Sequence, residues 1–352
     1  MSTSSTTTTA PAACAARRIV GLDVARALAL MGMIISHLMM PVGLRGEAFN
    51  GFPAALFAVL AGVSLSIMSS RGVRQGGAAL SSSRHGLMVR GALLVVAHQL
   101  VVPFSGPIAV VLETFGFLYI ALACVPRWSN RAVTVLLVWL VGLSALVSAL
   151  SRITWVPGYL GSPYPLLAWA TYMVIGLLAH RLLLRSTRVQ VLAVAFGLPL
   201  AVAGAVMRHV VDMEAALSGS RNVLVALALI EPTSHSGGLI DLLATSAGAL
   251  AVLSLCLLLV RGGRWWCLPL QAMGSMSLTV YVAHVLSAGP QLSEFSVRSM
   301  PILALTTILL SAAVAMLIRA RFRHGPLEWA LRRSVELGTS TSLPPRPVLG
   351  RV

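Results

Sequence analysis

The 352-residue sequence contains no lysine: all 26 basic residues are arginine, set against only 10 acidic ones. Charged residues make up 10% of the chain, where a soluble domain usually carries about 25%. That scarcity argues against a water-exposed globular surface. The missing lysine reads as a GC-rich coding bias and carries little chemistry. Four cysteines are present (Cys14, Cys124, Cys256, Cys267), with no CxxC pair and no ligand-like spacing. A disulfide framework or a structural zinc site is therefore not expected, and no metal is called for. The net charge of +16 would suit a nucleic-acid partner, but the arginines cluster in the gaps between apolar runs. Membrane orientation leaves that pattern and a basic groove does not, so no nucleic-acid partner is expected.

What the chain has in abundance is hydrophobic sequence, 57% of all residues, with a mean hydropathy of +0.88. Apolar stretches of about 20 residues, the length needed to cross a bilayer as a helix, can be read at 19–41, 51–70, 87–104, 107–126 and 132–150. Five more follow at 164–183, 189–207, 239–260, 265–287 and 301–319. The predicted fold class is thus all-α, a polytopic transmembrane bundle of about ten helices. The predicted domain covers 17–333. A low-complexity, disordered tail is expected at 1–16 and a second disordered tail at 334–352. Arg17 and Arg18 precede an apolar segment too long for the core of a cleavable signal.

Arginine placement orients the bundle. With the N-terminus inside, the inner segments and the C-terminal segment carry most of the arginines. The outer ones carry only Arg45, Arg152, Arg208, Arg221 and Arg298, and Arg26 and Arg90 fall within spans. Positive charge is retained on the cytoplasmic side, so both termini are expected inside, in a cell inner membrane. The stretch 208–238 is assigned to the outer face, because its NVLVALALI run (222–230) is too short to span. It is read as re-entrant or interfacial. The aromatic loop TWVPGYLGSPYP (154–165) reads as interfacial anchoring ahead of a sugar-stacking lip.

Ionisable residues inside spans are costly and mark functional candidates. Their expected depths form two layers. Asp23, Arg26 and Arg90 lie toward the inner side, with Arg71, Arg74 and Arg84 in the adjoining inner loop. Asp23 and Arg26, three residues apart, share a helix face; they serve either as a structural ion pair or as part of a guanidinium site for an anionic ligand. His37, His98, Glu113, Asp241 and His284 lie toward the outer side. His98 and Glu113 are placed symmetrically about the 104–107 turn, at a depth where they can hydrogen-bond, Glu113 orienting the imidazole or raising its basicity. Arg26 and His37 are eleven residues apart, within about 20° on one helix face and ~16 Å apart along the axis. One face of the first span therefore joins the two layers. Intramembrane His and Glu also suit a proton relay, so a transporter or exporter of a lipid-linked or anionic solute is the alternative. Against it, the two halves show no internal repeat and no matched pair of broken helices.

Five fragments in order carry a resemblance: RRIVGLDVARALALMGMIISHL (17–38), FPAALFAVLAGVSLSI (52–67), HSGGLIDLLATSAGALAV (235–252), MGSMSLTVYVAHVL (273–286) and HGPLEWALRR (324–333). Together they resemble the heparan-α-glucosaminide N-acetyltransferase-like membrane proteins, within the transmembrane acyltransferase superfamily that includes acyltransferase family 3. The superfamily's Arg, ten residues, His pattern is met by Arg26 and His37. The resemblance implies transfer of an acyl group, often acetyl, from cytoplasmic acyl-CoA (acetyl-CoA) to an extracytoplasmic sugar, glycan or glycolipid acceptor. His37 would then be catalytic, as general base or acyl-accepting nucleophile, with His98, Glu113 and Asp241 as further catalytic candidates. Arg26, Arg90, Arg71 and Arg74 would hold the donor's phosphates, and His284 and His235 would contact the acceptor.

Overall fold

A computed structural model describes residues 18–211, 221–261, 265–294 and 300–340. Among these residues the chain is all-helical, with short 3-10 turns and no strand. The helices are α1 (Val20–Met39), α2 (Gly43–Glu47), α3 (Phe52–Gln75), α4 (Gly77–Val101), α5 (Leu112–Ala121), α6 (Asn130–Leu150), α7 (Leu166–Leu182), α8 (Thr187–Val210), α9 (Arg221–Leu229), α10 (Leu239–Leu259), α11 (Leu268–Ser275), α12 (Ser277–Glu294), α13 (Pro301–Arg321) and α14 (Pro326–Ser340). Seven segments, built on α1, α3, α4, α6, α8, α10 and α13, are long and apolar enough to cross a membrane, and α5 and α7 are shorter apolar helices. The protein is a multi-pass membrane protein. We call the end of the bundle that carries Arg18 and α14 the near end, and the opposite one the far end.

The helices begin and end for local reasons. Ser129 caps α6 by accepting from Ala132 N–H at 3.2 Å, and Ser186 caps α8 by accepting from Val189 N–H. Between α3 and α4 the chain reverses at Gly76 and Gly77, whose φ values of +68° and +47° side chains rarely adopt. The inner loop expected around 71–86 is consequently helical, with Arg71 and Arg74 on the last turns of α3 and Arg84 on α4.

Helices α1, α3, α7 and α10 form the centre, while α6, α8 and α13 present most of their surface outward. Exposed Val138, Trp139, Phe196 and Leu317 face what must be hydrocarbon. Inside a bilayer helices gain no hydrophobic drive from meeting, so close contact relies on small residues. At the crossing of α3 and α7, a Cβ on Gly62 would land on the Met173 carbonyl, and one on Gly176 on the Val59 carbonyl. Gly274 of α11 likewise lies against the Asp23 carbonyl of α1.

Three expected boundaries shift. The span read at 107–126 is helical only over α5; Ser105–Val111 precedes it as irregular backbone, with Ile108, Val110 and Val111 buried. Such backbone is tolerated at membrane depth only when its polar groups find protein partners or line a cavity. Val111 N–H donates to Tyr281 Oη at 3.2 Å, and Ala109 C=O accepts from Tyr164 Oη at 2.9 Å. The ninth span is broken at Met276 into α11 and α12. In 208–238, α9 spans nine residues, about 14 Å at 1.5 Å per residue, too short to cross; 212–220 lie outside the described residues. The expected tail 1–16 and residues 341–352 also lie outside them, whereas 334–340 belong to α14.

Helix α14 is fastened to the bundle by one carboxylate. Glu328 Oε1 accepts from the N–H groups of Leu278 and Thr279 at 2.7 and 3.0 Å, and Oε2 from Thr279 Oγ1 at 2.6 Å. These are the orphan donors at the start of α12, where a negative charge is favoured by the helix dipole. Farther along, Val335 and Gly338 pack against Gly86 and Val89 of α4.

Candidate functional site

Two cavities open from opposite ends of α1. The near-end cavity, about 610 Å³, is lined by Arg18, Arg26, Arg90, His324 and Arg332, with Phe57, Phe115, Tyr119 and Tyr281 as apolar walls. Arg26 is fixed from two sides: Nη1 donates to Asp23 Oδ1 at 2.9 Å and Nη2 to Ser64 Oγ at 2.8 Å. Asp23, buried at 1% exposure, is shared with Arg18, whose Nε donates to Oδ2 at 2.5 Å. Arg90 stacks over the Tyr119 ring at 5.4 Å, and its buried Nε has no hydrogen-bond partner. Four guanidinium groups thus face one space with three carboxylates nearby: Asp23, Glu336, which accepts from Arg332 Nε at 2.9 Å, and Glu328, already held at the start of α12. The surplus is positive, in a pocket of ligand size, and guanidinium suits phosphate.

This cavity contains Arg26 and Arg90, as the sequence suggested. Arg71 and Arg74 do not line it; both are exposed on the last turns of α3. Their place is taken by Arg18 and Arg332. Arg332 arrives with α14, an assignment that only long-range packing reveals.

The far-end recess, about 350 Å³, is lined by His37, Ser36, Asn50, Tyr164, Ser234 and His235, with 107–109 as its floor. His37 Nδ1 lies 3.1 Å from His284 Nε2, and the two rings meet edge to edge, their planes 5° apart and their centroids 5.4 Å apart. One nitrogen of this pair carries the proton, and the contact leaves Nε2 of His37 for a ligand. His284 is buried at 2% exposure, and its Nδ1 has no partner. His235 sits in the left-handed region at φ +64°, against the rings of Tyr164 and Trp169. Burial, aided by the charge of Arg208 and by His37, holds its imidazole down to about 4, so it is neutral at pH 7. In the preceding aromatic loop, Trp155 and Tyr159 are exposed, in keeping with anchoring, while Tyr164 turns inward to this recess.

The remaining candidates stand elsewhere. His98 Nε2 and Glu113 Oε2 do meet, at 3.2 Å across the turn between α4 and α5, but neither lines the cavity or the recess. Asp241, buried at 1% exposure, is consumed by structure. Oδ1 accepts from Arg208 Nη2 at 2.6 Å and from Thr245 Oγ1 at 3.0 Å, and Oδ2 accepts from Gly237 N–H at 3.2 Å. A general base needs an oxygen within reach of substrate, and this buried carboxylate lines neither the cavity nor the recess. Arg208 in turn ties α8 to the carbonyls of Asn50 and Pro232 and lies over Phe52. Arg152 and buried Glu231 make a second far-end ion pair. Sequence reading passed over Arg208, Glu231 and Glu328, whose carboxylate–donor pairings join positions 33 to 79 residues apart.

The cavity and the recess share no lining residue. Val111 and Leu112 belong to the first and Pro107, Ile108 and Ala109 to the second, so the irregular segment before α5 is the wall between them. No curated protein matches the chain. Residues 179–337, from the end of α7 through most of α14 and including Arg208, Asp241, His284 and Glu328, match the family described as Protein of unknown function (DUF418).

Proposed function

We propose that the protein is an integral-membrane acyltransferase. It moves an acyl group, acetyl by resemblance, from acyl-CoA at the near, arginine-rich end to an extracytoplasmic sugar, glycan or glycolipid acceptor at the far end. One observation carries the reading: α1 places Arg26 in a cationic cavity and His37 in a separate recess at the other end. A donor with phosphates at one terminus and a reactive thioester at the end of a long arm matches that layout, provided the arm crosses the irregular segment Ser105–Val111 that walls the two spaces apart. Arg26, Arg90, Arg18 and Arg332 would hold the phosphates, Arg26 already aimed by Asp23 and Ser64.

At the recess, His37 Nδ1–H donating to His284 leaves a lone pair on Nε2. The acceptor O–H or N–H gives its proton to that nitrogen as the heteroatom bonds to the thioester carbonyl carbon. The carbon–sulfur bond then breaks, and the leaving thiolate takes the proton back from the imidazolium. If His37 attacks the thioester itself, an acyl-imidazole forms first and the acceptor displaces it. In both routes His284 is a positioning residue, holding the tautomer of His37.

The test is release of CoA from acetyl-CoA by the purified protein in lipid nanodiscs, with a sugar acceptor. His37→Ala should abolish turnover. Arg26→Gln should raise KM for acetyl-CoA more than it lowers kcat, because it acts on donor binding. Turnover intact in His37→Ala, together with lost solute flux in proteoliposomes, would hand the site to a transporter.

A further inference from the structure

A third space lies on the other side of His284. Helices α12 and α13 stand apart, leaving a groove of about 600 Å³ that runs from Met276 and Ile318 near one end to Gln291 and Leu303 near the other. Its lining is graded. The far half presents His284, Ser287, Gln291, Thr306 and Thr307; the near half is Val280, Leu310, Val314, Ala315 and Ile318. Thr279 and Ser311 are the polar exceptions in the near half, and the hydroxyl of Thr279 is engaged with Glu328. Helix α13 is buried only at Ala304 and Ala315, so the groove adjoins the outward surface.

We infer that this groove binds a membrane lipid of the far leaflet, its chain along the apolar half and its hydroxyl- or amine-bearing head at His284. Two observations point to such a ligand independently. The polarity changes along the groove in the sense of a lipid whose head lies at the far end. His284, 2% exposed, lines the groove, yet its Nδ1 has no partner in the protein. When His37 Nδ1–H donates to His284 Nε2, the other ring nitrogen of His284 is an N–H. A buried donor of that kind is costly unless an oxygen meets it, and a lipid head or ester supplies one. His284 therefore joins the lipid groove to His37 through a single ring. Resting on the acyl-transfer reading, the bound lipid is the acceptor, entering sideways from the bilayer.

The experiment uses the full chain in vesicles of phosphatidylethanolamine and phosphatidylglycerol containing a trace of phosphatidylethanolamine with a mid-chain diazirine. After photolysis, cross-links are mapped by mass spectrometry. Labelling at Leu310 and Val314 should exceed that on the exposed face of α6, at Val138 and Trp139, by several-fold. Ser311→Trp, which fills the groove, should remove the excess while the α6 labelling and the unfolding midpoint stay. Equal labelling of the two surfaces, or an excess that survives Ser311→Trp, overturns the lipid site. Ser311→Trp should also slow acetyl transfer to a lipid acceptor and spare a water-soluble one; equal loss on both overturns the acceptor role. Groove labelling with no transfer to any acceptor sinks the transferase reading and leaves the lipid site standing.

Discussion

Replacing Asp241 separates a structural role from a catalytic one. Its carboxylate and the Arg208 guanidinium are 1% and 3% exposed, so water cannot rescue whichever partner is left. Removing one member of a buried pair costs about 3–5 kcal/mol, chiefly through the uncompensated charge. Asp241→Ala also strips Gly237 N–H of its acceptor. Arg208→Met leaves the opposite charge and exposes the Asn50 and Pro232 carbonyls to loss of their donors, each worth ~1–3 kcal/mol. The double variant Arg208→Met/Asp241→Leu loses those same carbonyl bonds and the Gly237 acceptor but strands no charge, whose cost is the larger. It should therefore be no less stable than Arg208→Met alone, a strongly sub-additive result. The assay is the unfolding midpoint of each purified variant in one detergent, with monodispersity checked by size exclusion. Additive losses would refute the clamp. So would an Asp241→Asn protein as stable as wild type but devoid of turnover, since that outcome would return Asp241 to the chemistry.

Glu328→Leu should release α14, because three donors at the start of α12 lose one carboxylate at ~1.5–3 kcal/mol per charged hydrogen bond; faster limited proteolysis around 322–325 is the readout. Gly176→Leu should abolish recovery of folded protein, as even a Cβ meets the Val59 carbonyl; Gly142→Leu, with open space around it, is the control. Between pH 6.5 and 4 wild type should lose stability. The unfolded His235 protonates near its ordinary 6.5, while the folded one resists to about 4, so the unfolded state takes up the proton first. His235→Asn, which tolerates the left-handed backbone, should flatten that slope in midpoints measured at pH 7 and 5. Glu113→Gln should leave acyl transfer near wild type, because the His98–Glu113 pair lines neither space.

Legibility in the sequence followed the range of each interaction. The apolar runs located the spanning segments because hydropathy is a local property. Asp23 with Arg26, and His98 with Glu113, could be paired in advance because a helix turn and a short hairpin fix their separation. The joining of His37 to His284, 247 residues apart, had no local mark; matching depth put both in one layer, and only packing made them neighbours. Depth likewise misled for Asp241, since it says nothing of Arg208, which takes the carboxylate out of reach. Arginine spacing favoured Arg71 and Arg74, but the Gly76–Gly77 reversal extended the helices and turned those side chains away. Helix α14, mostly polar and read in part as a tail, brought Arg332 to the arginine-lined cavity through Glu328, a contact without a sequence signature.

The irregular stretch Ser105–Val111 has a further consequence, for permeability. Ile108, Val110 and Val111 are buried between two polar spaces, and the backbone around them is tied to Tyr164 and Tyr281. Across those few residues the insulation of the bilayer continues through the protein. The cavity and the recess share no lining residue, so this segment keeps the two mouths apart, and on the proposed reading it has to part only where the thioester arm crosses to His37.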